Sequence, residues 1–118
     1  MSIETDVRAL ATEHGRAAGT EGHLAAKDYI LERLGVLDVV PYLSSGFEAV
    51  YERSGQSFCN VIAKVSGLDQ SLNPVLLGAH YDTCGDLPGA DDNAAAVAVL
   101  LEVAAKTAHE PPDRTVVF

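Results

Sequence analysis

Apolar residues recur at helical spacing from the start of the chain: Ile3, Val7, Leu10 and Ala11 follow Ser2, a good capping residue, and Gly15 is placed to end the helix. A second helix is predicted from near Thr20 through Leu24, Ile30, Leu31 and Leu34 to Gly35, with RAAGTEG as the glycine-bearing turn between the two. From Val39 to Val65 the texture changes to β-branched and aromatic residues in short runs, interrupted at Ser44 to Gly46 and at Ser54-Gly55. FEAVYER and FCNVIAKV therefore read as neighbouring strands of a hairpin. Beyond the polar loop SGLDQSLN, the run PVLLGA is too short for a helix and too continuous for a half-exposed strand, which predicts a buried central strand. AAAVAVLLEVAA, from Ala94 to Ala105, is a helix suited to close packing on a sheet, begun by Asp92 or Asn93. EPPDR then breaks it, and TVVF opens a last strand.

Strands alternating with helices over short connections imply an α/β fold, a three-layer sandwich with a mixed central sheet flanked by helices. The 118 residues, 47% of them hydrophobic, contain no repeat or linker and are expected to form one domain over residues 1–118. TVVF stops at Phe118, so the sheet is expected to be incomplete at its C-terminal end and to leave an edge open to self-association. A formal charge of −9, from 17 acidic against 8 basic side chains, argues against a nucleic-acid or anionic-membrane partner. With no basic leader and no long apolar span, the expected compartment is the cytoplasm. Cys59 and Cys84 stand far apart and outside any CxxC pattern, which predicts reduced thiols.

Charge becomes informative locally. In GAHYDTCGDLPGADDN, residues 78–93, His80 is followed by Asp82, Asp86, Asp91 and Asp92 within 13 residues. Like charges this close repel, and a buried carboxylate without a partner gives up its charge or costs several kcal/mol, roughly, so a divalent cation is the simplest missing partner. His80 follows directly on PVLLGA, at the end of a strand where α/β folds gather ligands. A neutral imidazole suits zinc, and Asp82, two residues on, can hold the other ring nitrogen and fix its tautomer. Asp92 would stand at the start of the next helix, where its two oxygens could bridge two cations. Asp91 reads as a helix cap, Asp86 as a solvated turn residue, and His14, His23 and His109 as surface or capping residues. Tyr81 and Thr83 read as packing residues and Cys84 as a plain loop thiol.

Taken in order, GAHYDT, PGADDN, the alanine-rich helix and TVVF resemble the M28 family of zinc aminopeptidases, and the likeness extends upstream to GRAAGTEGHLAAKDYI and NVIAKVSG. The resemblance implies that His80 and Asp92 are metal ligands, His80 to one zinc and Asp92 bridging two, and that Asp82 serves catalysis by orienting His80. It also implies a non-proline cis peptide at Asp92-Asn93. The family's Glu-Glu pair beyond the last strand, with a later Asp and His, does not occur within these residues. The parent protein is therefore expected to be a co-catalytic zinc aminopeptidase acting on peptides with a free N-terminus, and the fragment to be inactive alone and a poor zinc binder. Glutaminyl cyclases and di-zinc carboxypeptidases are similar in the same motif, and a non-catalytic truncated copy is a further reading. Where the family often reads DNASG, this chain has Asp92, Asn93, Ala94, Ala95 and Ala96, which implies altered packing rather than lost chemistry.

Overall fold

Two capped helices open the chain, in a computed structural model that describes residues 2–118. Ser2 starts α1 (Ile3–Leu10), its hydroxyl accepting from the Thr5 amide at 3.2 Å, and Thr20 starts α2 (Glu21–Gly35) through the His23 amide at 3.3 Å. The first helix ends at Leu10, well before Gly15, because the Leu10 carbonyl is taken by the guanidinium of Arg16 at 2.6 Å instead of by a further helical turn.

Each of these helices buries an opposite charge on its apolar face. Asp6 is 1% exposed and Arg33 is 6% exposed, and they meet at 2.8 Å (Arg33 Nε to Asp6 Oδ1) and 3.3 Å (Nη2 to Oδ2). The Tyr29 hydroxyl donates to the same Oδ1 at 2.6 Å. Hydrogen bonding to Asp6 raises the Arg33 guanidinium, while burial and then that same carboxylate push the Tyr29 hydroxyl up to about 12. Residue type alone would assign such charges to the surface, and the structure uses them to fix α1 against α2.

The predicted hairpin forms: β2 (Glu48–Arg53) pairs antiparallel with β3 (Gln56–Val61), with Ser54 and Gly55 turning between them at φ 52 and 76. The run FCNVIAKV is not one strand, however. At Ile62 the chain leaves this ribbon and β4 (Ala63–Val65) joins a separate sheet, ordered β1 (Val40–Pro41), β4, β6 (Val116–Val117), β5 (Val75–Leu76). That sheet is mixed, antiparallel at β1–β4 and β4–β6 and parallel at β5–β6, as the α/β expectation requires. PVLLGA is not the buried central strand predicted: its strand part, β5, lies at the edge with Leu76 75% exposed, since β6 is its one partner among the described residues.

The third helix, α3 (Ala95–His109), carries the core. Its Val97 and Leu101 pack with Leu10, Ile30, Leu34 and Ala63, and its Ala104 with Val65, Val116 and Phe118. Ala94, just before it, is 0% exposed, so no larger side chain fits there without displacing a neighbour. The helix does not begin at Asp92 or Asn93. Both have non-helical dihedrals, and neither the start of α3 nor the turn before it has a side-chain cap, so Asp91 is not a cap either. The side chains of Asp92 and Asn93 are turned toward His80 in the preceding loop.

Replacing Asp6 by Ala leaves a buried guanidinium and hydroxyl unpartnered, and is expected to cost about 3–5 kcal/mol in urea unfolding, whereas Asp6→Leu with Arg33→Met recovers much of it. Alkali should expose the Tyr29 contribution. Unfolded Tyr29 releases its proton near 10 and folded Tyr29 near 12, so stability is whole below pH 10 and falls as pH climbs to 12. Tyr29→Phe should flatten that slope, measured as unfolding midpoint against pH.

Candidate functional site

His80 stands where the chain leaves β5, with one carboxylate on each ring nitrogen: Nδ1 is 3.1 Å from Asp82 Oδ1, and Nε2 is 3.1 Å from Asp92 Oδ1. Asn93 completes the link, donating from Nδ2 to the His80 carbonyl at 3.2 Å. Asp92 can face back toward the loop because Ala90–Ala94 forms one wide turn, closed by the Ala94 amide on the Gly89 carbonyl at 3.0 Å. The Asp92-Asn93 peptide within it is cis, as the motif implied. Gly89 starts the turn at φ 61, and a Cβ there would stand 2.5 Å from the Asp92 carbonyl oxygen. All three predicted site residues, His80, Asp82 and Asp92, are thus brought together.

Arg16 holds this arrangement from below, a role that periodicity did not suggest. It is 1% exposed, and its guanidinium donates to the carbonyls of Tyr81 (2.8 Å), Leu10 (2.6 Å), Pro88 (2.7 Å) and Gly89 (3.1 Å). Its amide donates to the Thr83 hydroxyl at 2.7 Å, and that hydroxyl donates to Gly85 at 3.0 Å. Both ends of the acidic loop are therefore tied to one buried cation. Burial lowers the Arg16 pKa, and the negative charges of Asp82 and Asp92 oppose that shift.

The crowding of acids is relieved mainly by water. Asp86 and Asp91 are exposed, the Asp92 side chain is 81% exposed, and those of His80 and Asp82 are 56% and 49% exposed. What asks for explanation is that an imidazole nitrogen and a carboxylate oxygen converge while Asp82 occupies the other nitrogen, the donor set and orientation of a metal ligand with its supporting acid. No group of three or more His, Cys, Asp or Glu side chains placed to hold a metal ion occurs among the described residues, so the pair alone would not complete a metal shell.

Tyr81 packs as expected, its hydroxyl donating to the Cys59 carbonyl at 2.9 Å, and burial pushes that hydroxyl up to about 12. His23 is not a surface or capping residue: its ring stacks on Tyr81 with centroids 4.8 Å apart, and burial lowers its pKa. A cavity of about 270 Å³ opens beside His80, Asp82 and His23. A larger one, of about 470 Å³, lies among Leu76, Leu77, Leu100, Leu101 and Phe118 and contains none of the loop acids.

Arg16→Met removes the donor from four loop and helix carbonyls, at ~1–3 kcal/mol for each left unsatisfied. A loss of at least ~3 kcal/mol in urea unfolding is expected, with faster amide exchange at Tyr81 and Thr83. Lys at this position, a point charge without the planar fork, should restore little of it.

Residues 60–118, half of the chain, match the profile described as peptidase family M28. A vacuolar membrane protease of Candida albicans is 31% identical over 106 residues, which cover 85% of this chain and 12% of that protein. A probable zinc metalloprotease of Pyrenophora teres f. teres is 41% identical over 66 residues, covering 49% of this chain and 14% of that one. Among solved structures, a leucine aminopeptidase precursor from Bacteroides thetaiotaomicron superposes with a TM-score of 0.74 at 22% identity, covering 98% of this chain and 44% of its own. A Porphyromonas gingivalis glutaminyl cyclase gives 0.74 at 27%, covering 99% and 43%. The expectation of a cytoplasmic protein is overturned by the vacuolar membrane proteases among these relatives. It rested on the lack of a leader and span in a chain that covers about an eighth of such relatives, which carries no weight about compartment. No helix among the described residues is long and apolar enough to cross a membrane. With the profile matching from the end of the hairpin through the acidic loop and α3 to the last strand, the chain belongs to peptidase family M28.

Proposed function

We propose that this chain supplies one side of a zinc-dependent exopeptidase centre, which removes residues from peptides with a free N-terminus. The observation that carries the reading is His80 held between Asp82 and Asp92 at 3.1 Å on either side. With Nδ1–H donating a hydrogen bond to Asp82, the Nε2 lone pair is directed to a cation, which makes Asp82 a positioning residue for His80. Asp92 presents Oδ1 to the same point, and its second oxygen is available to a second ion, the bridging role by which two zincs would share the site. Zinc, when bound, supplies Lewis acidity toward the scissile carbonyl and toward water at neutral pH. The imidazole and carboxylate fit that metal, and the name of the Pyrenophora relative, a probable zinc metalloprotease, supports the choice. Further ligands and the general base would come from other residues of the whole protein.

A second reading has a specific observation in its favour: the glutaminyl cyclase aligns over 99% of this chain at 27% identity. The product distinguishes them. With the natural gene product expressed whole, an aminopeptidase shortens an N-terminal Gln peptide by one residue, whereas a cyclase releases ammonia and keeps every residue.

His80→Ala and Asp92→Asn should each lower kcat/KM on leucine p-nitroanilide by at least ~10³-fold, with zinc content falling in parallel. Asp82→Asn should weaken zinc affinity by about 10–100-fold. Full zinc content and turnover in His80→Ala would refute the assignment.

A further inference from the structure

The cavity of about 270 Å³ beside His80 is walled by rings from three separated parts of the chain: Tyr51 and Phe58 on the hairpin, His23 in the first turn of α2, and Tyr81 in the loop. The rings form two stacked pairs. His23 and Tyr81 lie 4.8 Å apart at 19°, and Tyr51 and Phe58, directly opposite in the β2–β3 register, lie 5.5 Å apart at 23°. Neither Tyr51 nor Phe58 belongs to the packed core, and Tyr51 is 44% exposed. The Tyr81 hydroxyl is spent on the Cys59 carbonyl, which leaves its ring as the surface it offers. The hairpin also meets α2 where Lys27 and Glu48 pair at 2.7 Å.

We infer that this cavity is a substrate subsite that takes a flat aromatic side chain from the residue next to the scissile bond. This deepens the exopeptidase reading and rests on it. Proximity gives the position: His80 and Asp82 line the same cavity, so a peptide held at His80 has a side chain within reach of it. Chemistry gives the preference. Rings placed around a gap make offset and edge-to-face contacts with an inserted ring, which a methyl group cannot make. The acidic rim suits a substrate that carries a free ammonium group, since Asp82 lies at the cavity and Asp92 next to His80.

The test compares phenylalanine and alanine p-nitroanilides on the natural gene product expressed whole. The wild type should favour phenylalanine in kcat/KM by more than ~10-fold, and Phe58→Ala should cut that ratio by about 10-fold. Phe58→Tyr should restore it, and Tyr51→Ser serves as an independent variant should Phe58→Ala fold poorly. A second readout needs no turnover: added L-phenylalanine should show intermolecular NOEs to the Tyr51 and Phe58 ring protons, and L-alanine none. If hydrolysis is robust but the ratio is unchanged in both ring variants, the subsite is wrong and the exopeptidase reading stands. If the wild type hydrolyses neither substrate, the exopeptidase reading falls and takes the subsite with it.

Discussion

The site depends on one buried guanidinium. A charge taken out of water is tolerable only when its donors are used, and Arg16 uses three nitrogens on four carbonyls, with Thr83 closing the backbone beside it. Those carbonyls belong to the end of α1, to Tyr81 and to the Pro88-Gly89 start of the wide turn. His80 precedes Tyr81 and Asp92 follows Gly89 by three residues, so the distance between the two donors is set by a cation that touches neither. The sequence suggested a missing positive charge near the acids. Part of it is Arg16, already inside the fold and near enough to feel the charges of Asp82 and Asp92.

Small residues let these pieces come close. The first turn of α2 passes so near the preceding loop that a Cβ on Gly22 would be 2.1 Å from the Gly15 carbonyl oxygen. Ala63 and Ala98 are 0% exposed, as is Ala94, so α3 lies close on the sheet with little room for branching. Ala95 and Ala96, where the resembling family often carries Ser and Gly, are half-buried positions at the helix start. Close packing of this kind seats the Ala90–Ala94 turn on the core through Ala94.

Local pattern was legible wherever the cause was local. The caps at Ser2 and Thr20, the hairpin and the body of the alanine-rich helix follow from neighbouring residues, and so does the clustering of His80, Asp82 and Asp92. Arg16 was not legible, because its loop partners lie 65 to 73 residues away. The start of α3 was misread for a similar reason: Asp92 and Asn93 are good caps by type, but their side chains serve His80 across the loop. A signal was available for the Asp6–Arg33 pair. Asp6 shares a helix face with Ile3 and Leu10, and Arg33 one with Ile30 and Leu34, so two apolar faces each carried one opposite charge. Edge position is different in kind, since a continuous apolar run reports burial and says nothing of how many strands flank it, as Leu76 in β5 illustrates.

A solvent-facing His–Asp contact adds little to the stability of a fold, because water screens it and both side chains lose freedom to form it. His80 and Asp92 are such a pair, yet Asp82 fixes the ring, Asn93 ties the turn to the loop, and Arg16 sets both supports. Arg16 also serves the fold through its carbonyl bonds, yet the three constraints together orient a contact that is itself worth little to folding. They are explained if the contact marks where a cation and a peptide are held, since orientation matters far more to a ligand shell than to an exposed pair.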